Sequence, residues 1–240
     1  MIPKKIHYIW LGNGNKSKLS QICIQGWKEK LGEYEIIEWN ESRVDIDAIA
    51  ASNRFFDECR KRKLWAFMAD YLRLKILYEN GGVYFDTDIQ VLRDITPLLN
   101  TSILVGFEKD YKGDLQIGTG VIGCEKGNVV IKACLDFYDE MIWNVPFYTI
   151  PRVMEYVIKD YPDTPILPYQ YLTPFAFNEE IDFEQLSPNT YTIHWFEGTW
   201  AEKLEICTFM KTKHIKKPIK KMIMQFLQVC KYYKEKLIGL

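Results

Sequence analysis

The chain holds 240 residues, 48% of them hydrophobic and 15% aromatic, at a formal net charge of −1. A chain of this length buries roughly three quarters of its unfolded surface, so one large domain, or one domain with an appendage, needs no disulfide or metal staples. No window reaches the ~18 apolar residues of a membrane span, and the six cysteines contain no C-x-x-C pair, which excludes a zinc ribbon or a thioredoxin-type motif. Met1-Ile2-Pro3-Lys4-Lys5 leads into a strand-like run and not into the apolar stretch of a secretory signal. Reduced cysteines in a cytoplasmic protein are the expectation. The near-neutral balance conceals a split: residues 211–240 hold nine lysines and a single acid, Glu235, whereas residues 1–210 are acidic.

In chain order, Lys5 to Leu11 alternates and is rich in β-formers, which predicts a first strand ending in the loop Gly12-Asn13-Gly14-Asn15. A helix over 17–30 follows, with Ser17 as its N-cap. Residues 34–39 read as a second strand, and Asp47 as the cap of a short helix over 48–51. The longest helical pattern runs over 58–79 and stops at Asn80-Gly81, as helices commonly do at glycine. Further strands are predicted at 83–85, 103–107, 119–123 and 191–195, a helix at 128–143, and a proline-broken loop between 162 and 174. Short strands alternating with helices argue for an α/β fold with a mostly parallel sheet, whose ligands bind beyond the carboxyl ends of the strands.

Asp86 and Asp88 stand just there, past Phe85 in ILYENGGVYFDTDIQVL. Side chains at i and i+2 of an extended segment share a face. Two carboxylates so placed make a hard-oxygen site for Mg²⁺ or Mn²⁺, which bind one or two carboxylates plus substrate phosphates. Such a triplet arises about once by chance in a chain of this composition. Asp45 and Asp47 form a second one, read as helix capping and solvation because no strand precedes it. One helix back, Asp70 and Arg73 share a face; they suit a polyol pocket, or form a plain intrahelical ion pair.

The run Ala69-Asp70-Tyr71-Leu72-Arg73, continued by Leu77 to Asp88, resembles the D-x-D sugar-binding region of glycosyltransferase family 32, a group of bacterial capsule and lipopolysaccharide enzymes and yeast mannosyltransferases related to the glucosylating clostridial toxins. Pro3 to Gly12 resembles its opening strand, and His194-Trp195-Phe196-Glu197-Gly198-Thr199-Trp200 its closing segment. The resemblance implies a GT-A fold, a UDP-sugar donor, a divalent metal (Mn²⁺ or Mg²⁺) and retention of anomeric configuration. It implies that Trp10 stacks on the nucleobase beside Ile9 and Leu11, and that Asp70 and Arg73 hold donor-sugar hydroxyls. Tyr84 would line the nucleoside pocket, Asp86 and Thr87 would contact the donor, Asp88 and His194 would bind the metal, and Trp200 would close over the diphosphate. Two departures stand out: Thr199 replaces the usual serine, and Gly118-Thr119 stands where relatives carry an asparagine facing donor and acceptor. His7, by contrast, reads as a satisfied core residue.

The tail, residues 211–240, is an appendage to a domain of residues 1–210. Ile219, Met222, Ile223, Phe226, Val229, Cys230, Tyr233 and Leu237 recur at helical spacing among lysines, the pattern of a basic amphipathic helix. It either packs its apolar stripe on the body or lies on an anionic membrane; nucleic acid is disfavoured by the acidic body. The sequence thus predicts a metal-dependent hexosyltransferase acting on a glycan or lipid-linked acceptor of surface polysaccharide synthesis, peripheral on the inner face of the membrane. Two alternatives stand beside it. One is a haloacid-dehalogenase-like phosphatase, against which Gln90 replaces the usual Thr or Val two residues after the second Asp. The other is a non-catalytic sugar- or membrane-binding module.

Overall fold

Residues 1–12, 14–198 and 204–238 are described by the structure, a computed structural model. β1 (Lys5–Ile9) leads into α1 (Lys18–Lys30), whose N-cap Ser17 accepts from the N–H of Ser20 at 2.9 Å. β2 (Glu35–Trp39) is followed by α2 (Ile46–Ser52), α3 (Arg54–Lys61) and α4 (Trp65–Asn80). Asp45, not Asp47, caps α2, accepting from the N–H of Ala48 at 2.9 Å. The single helix expected over 58–79 is two helices. Lys63 takes a left-handed φ of 54°, which breaks the hydrogen-bond ladder, and the Asn53 side chain starts α3 by accepting from Phe56 N–H at 2.7 Å.

Gly81 and Gly82 then turn the chain into β3 (Gly82–Phe85) with φ values of 64° and 103°. A Cβ on Gly82 would stand 2.8 Å from His7 Nε2, so the close approach admits only glycine. The histidine is satisfied and buried: Trp39 Nε1 donates to its Nδ1 at 3.1 Å, and its Nε2 meets Gly81 O at 2.8 Å. After β4 (Ile89–Val91) come β5 (Ile103–Lys109), β6 (Leu115–Cys124), α5 (Val129–Glu140) and α6 (Ile150–Ile158). The expected loop over 162–174 carries two short elements, β7 (Ile166–Leu167) and α7 (Tyr169–Leu172), before β8 (Thr192–His194).

The six-stranded sheet has the order β2-β1-β3-β6-β5-β7. β1 pairs parallel with β2 and β3, and β5 with β7, while β6 runs antiparallel to both its neighbours. The sheet is therefore mostly parallel, with one reversed strand inside it, and fits the GT-A expectation. One apolar layer gathers Phe55, Phe56, Met68, Leu72 and Tyr138 from the α3–α5 side. The other gathers Ile6, Trp27, Val83 and Phe85 beneath α1. Trp27 is fully buried, and its indole N–H donates to Ile89 O at 2.7 Å. Cys23, Cys59, Cys124 and Cys134 are buried free thiols.

β4 and β8 form a separate antiparallel ribbon that sets Ile89 opposite His194. At the C-terminal end, α8 (Leu204–Thr208) precedes α9 (Pro218–Ile238). Between them Lys213 is buried, its ammonium donating to the carbonyls of Ile142, Val145 and Phe147. Three donors meet three acceptors, although burial draws this amine down to about 8. A mixed face of α9 meets the body: Lys221, Met224, Gln225, Gln228, Val229 and Tyr232 are half-buried, and Gln225 Nε2 donates to Thr208 O at 3.2 Å. Ile219, Met222 and Phe226 are 71%, 64% and 66% exposed.

Candidate donor and metal site

The carboxyl end of β3 organises the site. Phe85 is buried in the sheet, and the N–H of Asp86 donates to Gly120 O at 2.8 Å, extending the β3–β6 pairing into the D-x-D. Tyr84 Oη donates to Asp86 Oδ1 at 2.8 Å. α4 brings Arg73 over the Tyr84 ring, 4.4 Å from its centroid. From there its guanidinium reaches Asp70 at 3.0 Å, Asp86 at 3.2 Å and Thr119 O at 2.8 Å. The Asp70–Arg73 pair is thus more than an intrahelical contact: it is buried and joins α4, β3 and β6. Burial lifts the Asp70 carboxyl to about 6, against the pull of Arg73, whose charge is shared with Asp86. Arg73 itself is raised by Asp86, Tyr84 and Asp70, which outweigh its burial.

Asp88 lies on the opposite side of the turn, 8% exposed. His194 Nε2 approaches its Oδ1 at 3.4 Å, and the Glu197 N–H donates to its Oδ2 at 2.8 Å. Burial pushes Asp88 up, but His194 and that N–H outweigh it and leave the carboxyl below its ordinary value. The same pairing raises His194 against its own burial. One ligand atom from each of Asp86, Asp88 and His194 falls within 4.8 Å of the others. Two carboxylates and an imidazole at that spacing are a donor set for a divalent cation. His194 Nδ1, buried and without a partner among the described residues, is the orphan that a ligating histidine leaves to an outer partner. Asp86, read as a sugar contact, is therefore also within reach of a cation.

Thr87 turns its hydroxyl to Ser20 Oγ at 3.3 Å, on the first turn of α1. Ser17 donates to Glu197 Oε2 at 3.0 Å, tying the start of α1 to the segment after β8. At the end of the neighbouring β1, Ile9 is buried, and Trp10 and Leu11 just past it are half-buried. Trp10 Nε1 donates to Gly14 O at 2.6 Å, with the Lys16 ammonium 5.5 Å from the ring. Thr199 and Trp200 lie outside the described residues.

A cavity of about 500 Å³ opens past the end of β1, lined by Gly12, Asp45, Asp47, Arg60, Trp65 and Met68 among others. None of Asp70, Arg73, Asp86, Asp88 or His194 lines it. Trp65 is missed by sequence reasoning, because a tryptophan on a helical apolar stripe reads as core. Glu108 is missed as well: it is a 6%-exposed acid on β5, lifted by burial to about 7. Its Oε1 accepts from Gln116 at 3.0 Å.

Residues 17–104 match the family described as a glycosyltransferase sugar-binding region containing a DXD motif. The chain is 31% identical over 163 residues to subversion of eukaryotic traffic protein A of Legionella pneumophila, an alignment covering 58% of this chain and 25% of that protein. It is 34% identical over 80 residues to an uncharacterized protein of Arabidopsis thaliana, covering 33% of this chain and 12% of that one. The chain thus matches a quarter or less of the length of these relatives. Its fold is similar to that of the PaToxG glycosyltransferase, with a TM-score of 0.54 at 20% identity over 67% of this chain and 70% of that one. The central block of the resemblance to glycosyltransferase family 32, Ala69 to Asp88, lies inside the matched region, whereas Pro3 to Gly12 and His194 to Trp200 lie outside it; the chain is similar to a DXD-containing glycosyltransferase sugar-binding region, on a GT-A-like fold.

Proposed function

We propose that this chain is a metal-dependent, retaining glycosyltransferase. It would move a hexose from a nucleotide sugar (UDP-Gal, UDP-Glc or an N-acetylated relative) to a glycan acceptor, such as a lipid-linked intermediate of surface polysaccharide synthesis. The observation that carries this reading is the convergence of Asp86 and Asp88, inside the matched DXD region, with His194 from β8, all within 4.8 Å at the end of β3. A divalent cation bound there supplies the positive charge that a departing diphosphate requires. The protein's own groups do the rest. Asp70, ionised above about pH 6, accepts from sugar hydroxyls, and Arg73 fixes both Asp70 and Asp86 while donating to the donor. Tyr84 locks Asp86 in one rotamer. Ile9, Trp10, Leu11 and Thr87 line the donor's path, and the flat wall of Trp65 beside the 500 Å³ cavity suits a nucleobase. Trp200 would close over the diphosphate. Retention of configuration rests on the family resemblance.

A dehalogenase-like phosphatase needs an aspartate free to attack phosphorus. Asp86 is held by Tyr84 and Arg73 on both oxygens, which argues against that use. A non-catalytic sugar-binding module would bind the UDP-sugar without releasing UDP, which separates it from the enzyme. The test is a UDP-sugar panel scored for Mn²⁺-dependent UDP release, with p-nitrophenyl phosphate as control substrate. Turnover of one UDP-sugar, lost in Asp88→Ala without loss of fold, is expected. Phosphate release from the control, or full activity of Asp88→Ala, would sink the proposal. The organisation proposed with it is a catalytic body, residues 1–210, and a tail, residues 211–240, that holds the enzyme on the cytoplasmic face of an anionic membrane near its acceptor. Among the described residues no helix is long and apolar enough to cross a membrane.

A further inference from the structure

His194 presents two nitrogens to two surroundings. Nε2 faces Asp88 at 3.4 Å. Nδ1 is buried, has no partner among the described residues, and lies 3.0 Å from where a Cβ on Gly120 would stand. A buried polar atom left unpaired is destabilising, so the arrangement asks for a group on the Nδ1 side. Gly118 and Gly120 point to the same face of β6, one strand repeat apart. Over Gly118 stands Glu108, its Oε2 3.2 Å from the position of the missing Cβ. The carboxyl is nearly fully buried, and its other oxygen is occupied by Gln116. Two glycines in succession on this face keep every β6 side chain out of the space between Glu108 and His194.

We propose that Glu108 is the positioning residue of His194: its Oε2 accepts the Nδ1–H across the glycine floor through one bridging water, and so aims Nε2 at the cation. The carboxylate fixes the tautomer, because an imidazole that donates from Nδ1 has its lone pair on Nε2. It also makes the imidazole a better donor to metal. Thr119, between the two glycines, faces away, and its carbonyl serves Arg73.

This rests on the proposed cation site, and the experiment separates the two. Mn²⁺ is titrated calorimetrically, without donor, into the full chain and into Glu108→Gln, His194→Ala and the double variant; melting curves check the fold. Wild type should bind Mn²⁺, Glu108→Gln should bind it roughly 10–100-fold more weakly, and in the His194→Ala background Glu108→Gln should cost less than about twofold. An additive loss in that background, or unchanged Mn²⁺ affinity in Glu108→Gln, overturns the assignment while leaving the cation site standing. Weakened UDP-sugar binding with intact Mn²⁺ affinity also overturns it, and gives Glu108 to the sugar. Absence of Mn²⁺ binding by wild type overturns both. Nitrogen NMR of the Mg²⁺-loaded wild type needs no variant: His194 should carry its proton on Nδ1, and a proton on Nε2 refutes the proposal.

Discussion

Asp70 is a carboxyl with two opposed environments. Burial resists its charge, and Arg73 favours it only in part because Asp86 competes for the same guanidinium. The outcome is a folded value of about 6 against an ordinary 3.8. The native state therefore holds an extra proton between those values, and stability from this group falls as pH rises through that window. For donor binding the sign is reversed, because only the ionised carboxylate accepts a charge-assisted hydrogen bond from a sugar hydroxyl. The KM for the UDP-sugar should rise about tenfold per pH unit below about 6, as a single protonation requires. Asp70→Asn should raise KM at neutral pH and flatten the profile across that range. A profile that stays steep in Asp70→Asn would assign the titration to another group. Arg73 is the less replaceable partner: its planar fork serves Asp70, Asp86 and Thr119 O at once, which a lysine's point charge cannot do.

At the scale of elements, the site depends on how α4 ends. Gly81 and Gly82 let the chain leave the helix and enter β3 within two residues, so Asp86 and Asp88 emerge one strand length from Asp70 and Arg73. Gly82→Ala would impose a Cβ at 2.8 Å from His7 Nε2 and 2.9 Å from Lys5 O, at a φ of 103°. Strain of this kind costs about 1–3 kcal/mol before any displacement of neighbours. A chain of this size loses about 2–4 °C per kcal/mol, so calorimetry should show Tm falling by roughly 2–12 °C, with Mn²⁺ affinity falling alongside as β3 shifts. An unchanged Tm would mean that β1 and β3 can part without cost. Much of this was legible in sequence, because the glycine stop, the strand and the paired acids lie within a single short run. His194 was legible only through the family resemblance; the β4–β8 register that delivers it spans a hundred residues. Glu108 was not legible at all: its place beside His194 follows from the reversal of β6 and from two bare positions on it. The break at Lys63 also escaped, since an apolar period continues through it while the backbone does not.

The whole molecule leaves one surface without an internal explanation. Along α9, Ile219, Met222, Ile223, Phe226 and Tyr233 are all more than half exposed, while Gln225 faces α8. At 100° per residue these apolar side chains share one arc, with Lys220, Lys231 and Lys234 along one edge and Lys236 along the other. The body covers only the mixed opposite face, where Met224, Val229 and Tyr232 are half-buried, and leaves this arc bare. Apolar centre with lysine margins is the form that enters an anionic interface, where each lysine near the surface adds about 1 kcal/mol. On the proposed membrane role, the acidic body would be held off such a surface, so the tail alone would make the contact and set the orientation of the site. The full chain should therefore co-sediment with phosphatidylglycerol vesicles and not with phosphatidylcholine vesicles, and 0.5 M salt should weaken but not abolish binding, because the apolar arc remains. Ile223→Glu together with Phe226→Glu should abolish co-sedimentation, leave Tm within a degree or two because neither side chain is in the core, and leave turnover of a soluble acceptor intact. Equal binding to neutral vesicles would remove the role of the lysines. A concentration-dependent dimer that the double variant dissolves, with no vesicle binding by wild type, would assign the stripe to a second copy of the chain and reject the membrane.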